Sequence, residues 1–344
     1  MKKIAVIGAT GYVGSEIVRL LGNHPGVNLS LLVSGTNAGK KISQVYPSLR
    51  NIVDLECEEL NLAFQVDRAD IFITALPHGV SKDVIPELLK MGKRVIDHSG
   101  DFRYKDVKVY ERWYGISHGM PELLEKSVYG LPELYRDKIR AAGLVANPGC
   151  YPTSAILAAA PILSAKLAET ENIIIDSASG ITGAGKKADL AYNYAECAES
   201  YKAYSIGTHR HTSEIEQELG FIAGKEVLVS FTPHLLPIKR GILSTIYMNL
   251  SKKISTGELL EVYNEYYRNE FFVRILDEGK MPEIKYTTGS NFIDIGVTVD
   301  QRLNRAVIVS SLDNLGKGAA GQAVQDLNIM CGLDEKTGLS HPGY

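Results

Sequence analysis

The sequence predicts an α/β protein of two domains, a parallel sheet covered by helices and then an α+β domain on a mostly antiparallel sheet. Three observations lead there. The first third alternates short β-branched runs with segments of helical apolar spacing. After residue 150 the strand-like runs become longer and more numerous. The chain has 344 residues, 45% of them hydrophobic, which exceeds the length at which a single core usually keeps growing.

In the first domain, strands are expected at 3–7, 29–33, 71–75, 94–97 and 143–146. Helices are expected between them at 13–21 and 82–91, each followed by a glycine stop signal, Gly22 and Gly92. Beyond Cys150 the expected strands are 173–177, 226–232, 242–250, 292–300 and 306–311, with helices at 213–223 and 257–268. A last helix, 318–330, opens in a glycine-rich turn and has no further strand to cover, so it should pack back on the first domain. The domains are therefore read as 1–148 plus 315–344, and 149–314.

A net charge of −3 offers no basic excess for a phosphate backbone or an anionic lipid surface, so nucleic acid and membrane are not expected partners. The apolar run near Met1 is too short for a signal segment or a membrane span, and a cytoplasmic location is expected. The four cysteines, Cys57, Cys150, Cys197 and Cys331, form no Cys-x-x-Cys pair and are judged singly.

Gly8-Ala9-Thr10-Gly11-Tyr12-Val13-Gly14 follows the first expected strand and opens the first helix, the context of a Rossmann-type dinucleotide-binding turn. Gly11 would let the backbone approach a pyrophosphate, Gly14 would let helix and strand close up, and the helix start supplies N–H groups. The spacing is G-x-x-G-x-x-G, a weaker string than G-x-G-x-x-G, and a tight turn without a ligand is the alternative. The second strand ends Val33-Ser34-Gly35-Thr36 with no carboxylate for a ribose 2′-hydroxyl. Ser34, Thr36, Lys40 and Lys41 could instead take a 2′-phosphate, which favours NADP over NAD, unless the two lysines only solubilise a loop.

Asn147-Pro148-Gly149-Cys150-Tyr151-Pro152-Thr153 places a cysteine between a strand and a helical run, where the positive helix end favours thiolate. Gly149 removes the side chain that would crowd an incoming carbonyl, so Cys150 is the candidate nucleophile. A free cysteine is more commonly a small buried apolar group, a description that suits Cys197 and Cys331. Cys57, between Glu56 and Glu58, lies where thiolate is disfavoured.

A proton carrier is suggested by Gly207-Thr208-His209-Arg210-His211-Thr212-Ser213-Glu214. The two histidines point the same way if the chain is extended, just before a helix that Thr212 or Ser213 could cap, with Arg210 available to an anion. A metal pair lacks a third ligand at suitable spacing, and a polar surface loop is the other alternative. Leu76-Pro77-His78-Gly79, Ser99-Gly100-Asp101-Phe102-Arg103 and Ser179-Gly180-Ile181-Thr182-Gly183-Ala184-Gly185-Lys186 follow expected strands and would line a ligand crevice, the last as an anion nest.

Taken with Asn314-Leu315-Gly316-Lys317-Gly318-Ala319-Ala320-Gly321, these strings resemble the N-acetyl-γ-glutamyl-phosphate reductase family of arginine biosynthesis nearly end to end. Pro148-Gly149-Cys150-Tyr151-Pro152-Thr153 discriminates it from aspartate-semialdehyde and glyceraldehyde-3-phosphate dehydrogenases. The resemblance implies an NADPH-dependent oxidoreductase, a dimer or tetramer, acting on an acyl phosphate through a Cys150 thioester. It implies His209 as general acid and base, and Arg103, Arg210, His211, Ser179 and Gly183 around the substrate. Around NADP(H) it implies Gly8, Thr10, Gly11, Tyr12, Val13, Gly14, Ser34, Thr36, Pro77, Gly183, Asn314 and Lys317, with no metal. Relatives that reduce a carrier-linked aminoadipyl or glutamyl phosphate would need a basic rim, and only Lys186-Lys187 and Lys239-Arg240 offer one. A cysteine acyl-transferase or hydrolase, or a non-catalytic NADP sensor, are the rival readings.

Overall fold

The computed structural model describes residues 1–186 and 189–343; Lys187 of the suggested rim lies outside them. The chain divides into two compact units, Met1–Pro148 with Ala319–His341 and Gly149–Gly318 with Pro342–Tyr344.

The first unit holds β1 (Lys2–Ile7), β2 (Val27–Val33), β3 (Cys57–Glu58), β4 (Ile71–Thr74), β5 (Arg94–Asp97), β6 (Val128–Tyr129) and β7 (Leu144–Ala146). They form a sheet of order β3-β2-β1-β4-β5-β7-β6 in which every pairing is parallel. Parallel neighbours need crossovers, and helices Tyr12–Leu21, Ser81–Lys90 and Pro132–Ala141 are among those that supply them. Ala5, Ile7, Leu31, Phe72, Ile85 and Val95 are buried in one cluster, each large side chain contributing about 1.5–3 kcal/mol. The order reverses between β1 and β4, the place where open α/β sheets form a crevice at the strands' carboxyl ends.

The last helix, Gly321–Cys331, starts three residues later than the periodicity predicts because Gly316–Ala320 winds as a wider π-type turn. It packs on helices Pro132–Ala141 and Tyr12–Leu21 within the first unit. Arg94 caps it by donating to Met330 O at 2.7 Å. Helices Val107–Tyr114 and Pro132–Ala141 are not among those the periodicity predicts.

The second unit holds β8 (Ile173–Gly180), β9 (Lys202–Ala203), β10 (Val229–Leu236), β11 (Ile242–Asn249), β12 (Val273–Ile275), β13 (Ile293–Asp300) and β14 (Arg305–Leu312). Their order is β12-β13-β14-β11-β8-β10-β9, and the sheet is mixed, with β10–β8 and β12–β13 parallel and the other pairs antiparallel. The strand expected at 226–232 is displaced to Val229–Leu236, because the alternation of buried positions runs on through Pro233 and Leu235.

Helix Cys150–Ser164 lies against β11 and β14 and is buried from Tyr151 to Leu163, the apolar-all-round pattern of a core helix. A row of buried hydroxyls crosses this packing. Ser154 Oγ donates to Ser244 Oγ at 2.9 Å, Ser177 Oγ and Ser244 Oγ lie 2.7 Å apart, and Ser310 Oγ donates to Ser154 O at 3.1 Å. Along β8, β10, β11 and β14 buried residues alternate with half-exposed ones. One face of the sheet therefore carries Ile174, Leu243, Tyr247, Val307 and Val309 towards solvent.

Candidate active site

In the first unit, the turn after β1 is shaped by contact. Gly8 has φ +85°, and a Cβ there would stand 2.3 Å from Ala75 O. One on Gly14 would stand 2.1 Å from Gly8 O, so strand and helix close up only without side chains. Gly11 differs: an added Cβ meets only Gly8 O at an ordinary 3.5 Å. Gly11 is also the N-cap of helix Tyr12–Leu21 and makes no side-chain cap bond, so no side chain covers that helix start from the cap position. Tyr12 and Val13 are half-buried on its first turn.

Beside this turn Thr10 Oγ1 and Ser34 Oγ lie 2.6 Å apart, and Asn37 Nδ2 reaches Thr10 Oγ1 and Thr36 Oγ1 at 3.3 and 3.1 Å. No carboxylate stands among these hydroxyl and amide groups. Thr36 and Lys40 are exposed, whereas Lys41 pairs with Asp54 at 2.7 Å. Asn37 escaped the sequence reading because nothing marks a loop amide until its neighbours are known.

The loops after β4 and β5 are tied by a residue that carries no sequence signal of its own. Buried Asp101 accepts the Gly79 N–H on both carboxylate oxygens at 2.9 and 2.8 Å, and the Tyr110 hydroxyl at 2.8 Å. Pro77, two residues before Gly79, is exposed. Arg103 is buried, and its guanidinium donates to Asn147 O and His98 O at 2.8 and 2.9 Å. It thereby holds the strand end that leads to Cys150.

In the second unit Cys150 is the first residue of its helix and Gly149 the N-cap, without a side-chain cap bond. The thiol feels the positive helix end, which favours thiolate. A Cβ on Gly318 would stand 3.0 Å from Cys150 Cβ, and one on Gly149 would stand 2.5 Å from His211 Nε2. Gly318 thus borders the cysteine itself, and the His211 imidazole borders the glycine before it. By contrast, burial raises the thiols of Cys57 and Cys331, with Glu56 adding to the first.

The histidine pair is not extended. Arg210 has helical angles, φ −57° and ψ −31°, and the helix begins at His211 rather than near 213. Neither Thr212 nor Ser213 is the cap: Ser213 Oγ donates back to Arg210 O at 3.1 Å, and Thr212 is inside the first turn. The two rings nevertheless meet edge to face, centroids 4.8 Å apart, because the turn folds His209 under His211. His209 also packs edge to face on Tyr151, Tyr204 and Phe231. Burial, helped by Arg210, brings the His209 pKa down to about 4. Tyr204 OH donates to Tyr151 OH at 3.2 Å, which donates to His234 O at 3.1 Å, and burial raises both phenols.

Ser179 is buried, with Oγ 3.2 Å from where a Gly183 Cβ would sit. Asn314 joins two segments, accepting the Gly241 N–H at 2.8 Å and donating to Thr182 Oγ1 at 2.9 Å. Asp313, which the sequence reading passed over, accepts the N–H groups of Leu315, Gly316 and Gly289 and pairs with Arg240 at 2.8 Å. That pairing draws Arg240 away from any basic rim. Lys317 is fully buried with its ammonium over the Phe272 ring, 5.8 Å from the centroid. Among the described residues no group of three His, Cys, Asp or Glu side chains could hold a metal ion.

The first unit thus carries a glycine turn on a parallel sheet, and the second a buried helix that begins at Cys150 beside a histidine pair. Residues 3–142 match the family described as "Semialdehyde dehydrogenase, NAD binding domain", and residues 150–314 match "Semialdehyde dehydrogenase, dimerisation domain". Aspartate semialdehyde dehydrogenase II from Vibrio cholerae shares the fold at TM-score 0.75 and 19% identity, over 96% of this chain and 98% of that one. More specifically, the chain belongs to the N-acetyl-γ-glutamyl-phosphate reductase family. A protein of that name from Acetivibrio thermocellus is 62% identical over 100% of this chain and 99% of its own length. One from Pelotomaculum thermopropionicum is 53% identical over 99% of this chain and 98% of its own. The family is one of oxidoreductases with an NAD(P)-binding domain.

Proposed function

We propose that the chain reduces N-acetyl-L-glutamyl 5-phosphate to N-acetyl-L-glutamate 5-semialdehyde with NADPH, releasing phosphate, as a step of arginine biosynthesis. The observation that carries the reading is Cys150 at the first position of a buried helix, bordered by the Gly318 backbone and, through Gly149, by His211.

The Cys150 thiolate attacks the acyl carbon, the bond to the phosphate oxygen breaks, and a thioester forms on the chain. NADPH, when bound, supplies a hydride to that carbon. The oxygen that then gains charge needs a hydrogen-bond donor, and the N–H of His209 is suited to that role. Its low pKa leaves it neutral near pH 7, an N–H donor and not a cation. Breaking the C–S bond frees the aldehyde and the thiolate. Arg210, exposed beside His211, is suited to the carboxylate or phosphate, and Ser179 and Gly183, adjacent to each other, are suited to line the substrate. Arg103 acts through the Asn147 carbonyl it holds.

The open cradle at Gly11 and the hydroxyl cluster of Thr10 and Ser34 fit a dinucleotide with a 2′-phosphate. Residues 1–148 with 315–344 are assigned to this cofactor and 149–314 to catalysis and assembly. The half-exposed apolar positions of the second sheet suit burial against a second copy, as a dimer or tetramer. A labile acyl phosphate and a reduced dinucleotide suit a cytoplasmic location.

The test is absorbance at the nicotinamide band with acyl phosphate, or in reverse with semialdehyde and phosphate, joined to mass spectrometry of the Cys150 peptide. An N-acetylglutamyl adduct on Cys150 and turnover lost in Cys150→Ser support the reading. No absorbance change, or a Cys150→Ser variant as active as the parent, overturns it.

A further inference from the structure

Glu214 has no part in the chemistry above, yet it is fully buried on the first turn of helix His211–Ala223. Its Oε1 accepts the main-chain N–H of Gly149 at 2.8 Å, across 65 positions of sequence. Gly149 is the residue before Cys150 and the cap of its helix, so this bond grips the backbone immediately upstream of the thiol. The same helical turn grips it again from another side, since only a hydrogen on the Gly149 α-carbon leaves room for His211 Nε2. Two side chains, three residues apart on one helix, thus hold one peptide step of the other. The helices they join also pack along their lengths. An acceptor-only carboxylate matches a lone N–H donor, and a charge-assisted bond of this kind is about twice as strong as a neutral one.

We propose that Glu214 is a positioning residue for the reaction: its carboxylate fixes the Gly149 peptide and so sets where the Cys150 thiol stands relative to His211. The inference rests on Cys150 being the nucleophile. The bracket has an electrostatic consequence as well, because a carboxylate near a thiol disfavours thiolate. Helix end and carboxylate therefore act on Cys150 in opposite senses. The titratable groups facing this point include His211 from the carboxylate's helix, His209 against it, Tyr151 from the thiol's own helix and Tyr204 from the segment after β9.

The experiment compares Glu214→Ala and Glu214→Gln in the full-length enzyme, following turnover, cofactor affinity and the pH dependence of iodoacetamide labelling of the Cys150 peptide. Alanine should lower kcat by about twentyfold or more, since small misplacements of reacting groups carry losses of that size, with cofactor affinity unchanged. Glutamine keeps an acceptor oxygen and should restore most of that loss, while its missing charge moves the labelling midpoint about half a pH unit lower or further. Alanine turnover close to the parent's, or a glutamine labelling profile superimposable on the parent's, overturns the proposal. If the alanine variant does not fold, the glutamine profile decides alone. If labelling Cys150 in the parent leaves turnover intact, it is the nucleophile that has failed, and not the role of Glu214.

Discussion

His209 accepts the main-chain N–H of His211 on its Nδ1 at 3.2 Å. The neutral ring must therefore carry its proton on Nε2, and with a pKa of about 4 it stays neutral over the range in which most enzymes work. The folded value lies below the ordinary 6.5, so the unfolded chain binds a proton at pH 5 that the folded chain refuses. Stability from this group is complete above about pH 6.5 and is lost as pH falls towards 4, by on the order of 3 kcal/mol. His209→Asn should flatten that part of the Tm profile between pH 6.5 and 4. A variant with the parent's slope would mean that His209 is not held neutral.

Gly149→Ala should lower turnover by about tenfold or more while leaving cofactor affinity alone, because the new methyl stands 2.5 Å from His211 Nε2 and displaces the ring. Gly143→Ala is the control, since a Cβ there has nothing within 4 Å. Steady-state kinetics and cofactor fluorescence titration check the pair; equal behaviour of the two variants would contradict the steric argument.

The glycines of the first turn should separate by role. Gly14→Ala forces a methyl to 2.1 Å from Gly8 O and should cost about 1–3 kcal/mol of stability or more. Gly11→Ala meets no such contact and should change stability by about 0.5 kcal/mol at most, yet weaken cofactor binding about tenfold. Chemical denaturation and isothermal titration distinguish these outcomes. If Gly11→Ala binds as the parent does, the open helix start is not where the pyrophosphate lies.

Ser34→Asp should shift preference from NADP towards NAD. It replaces the partner of the Thr10 hydroxyl, 2.6 Å away, with a carboxylate at the end of β2, where it repels a 2′-phosphate and accepts from a 2′-hydroxyl. The ratio of kcat/KM for the two cofactors should fall by about tenfold or more, the size expected of one like-charge contact. An unchanged ratio would remove the hydroxyl cluster from cofactor choice.

Much of the first unit was legible because its signals are local. Gly8, Gly11 and Gly14 sit where a strand must turn into a helix, and β5 spans Arg94–Asp97 as expected. The cysteine helix was legible for the same reason, from Gly149 before it and Pro152 in its first turn. The His209–His211 segment was misread because a two-residue repeat implies extension only when nothing folds the chain, and here Arg210 is already helical. Glu214, Asp101 and Asp313 lay beyond sequence reasoning for another reason. Each is defined by a backbone N–H elsewhere in the chain, at Gly149, Gly79 and Gly289. A backbone donor leaves no mark on residue identity. Helices Val107–Tyr114 and Pro132–Ala141 interleave charged residues with their apolar ones, which hid the stripe.

The hydroxyl row beneath the cysteine helix limits how that helix can err. Ser154 stands one turn along from Cys150, bonded to Ser244 and near Ser310. Apolar surfaces tolerate small slides, since one methyl is much like the next. Hydroxyls do not: a displacement by one residue, about 1.5 Å, would strand each donor against hydrocarbon at about 1–3 kcal/mol apiece. The helix therefore has detents instead of a continuous track, and the reach of its thiol changes in clicks or not at all.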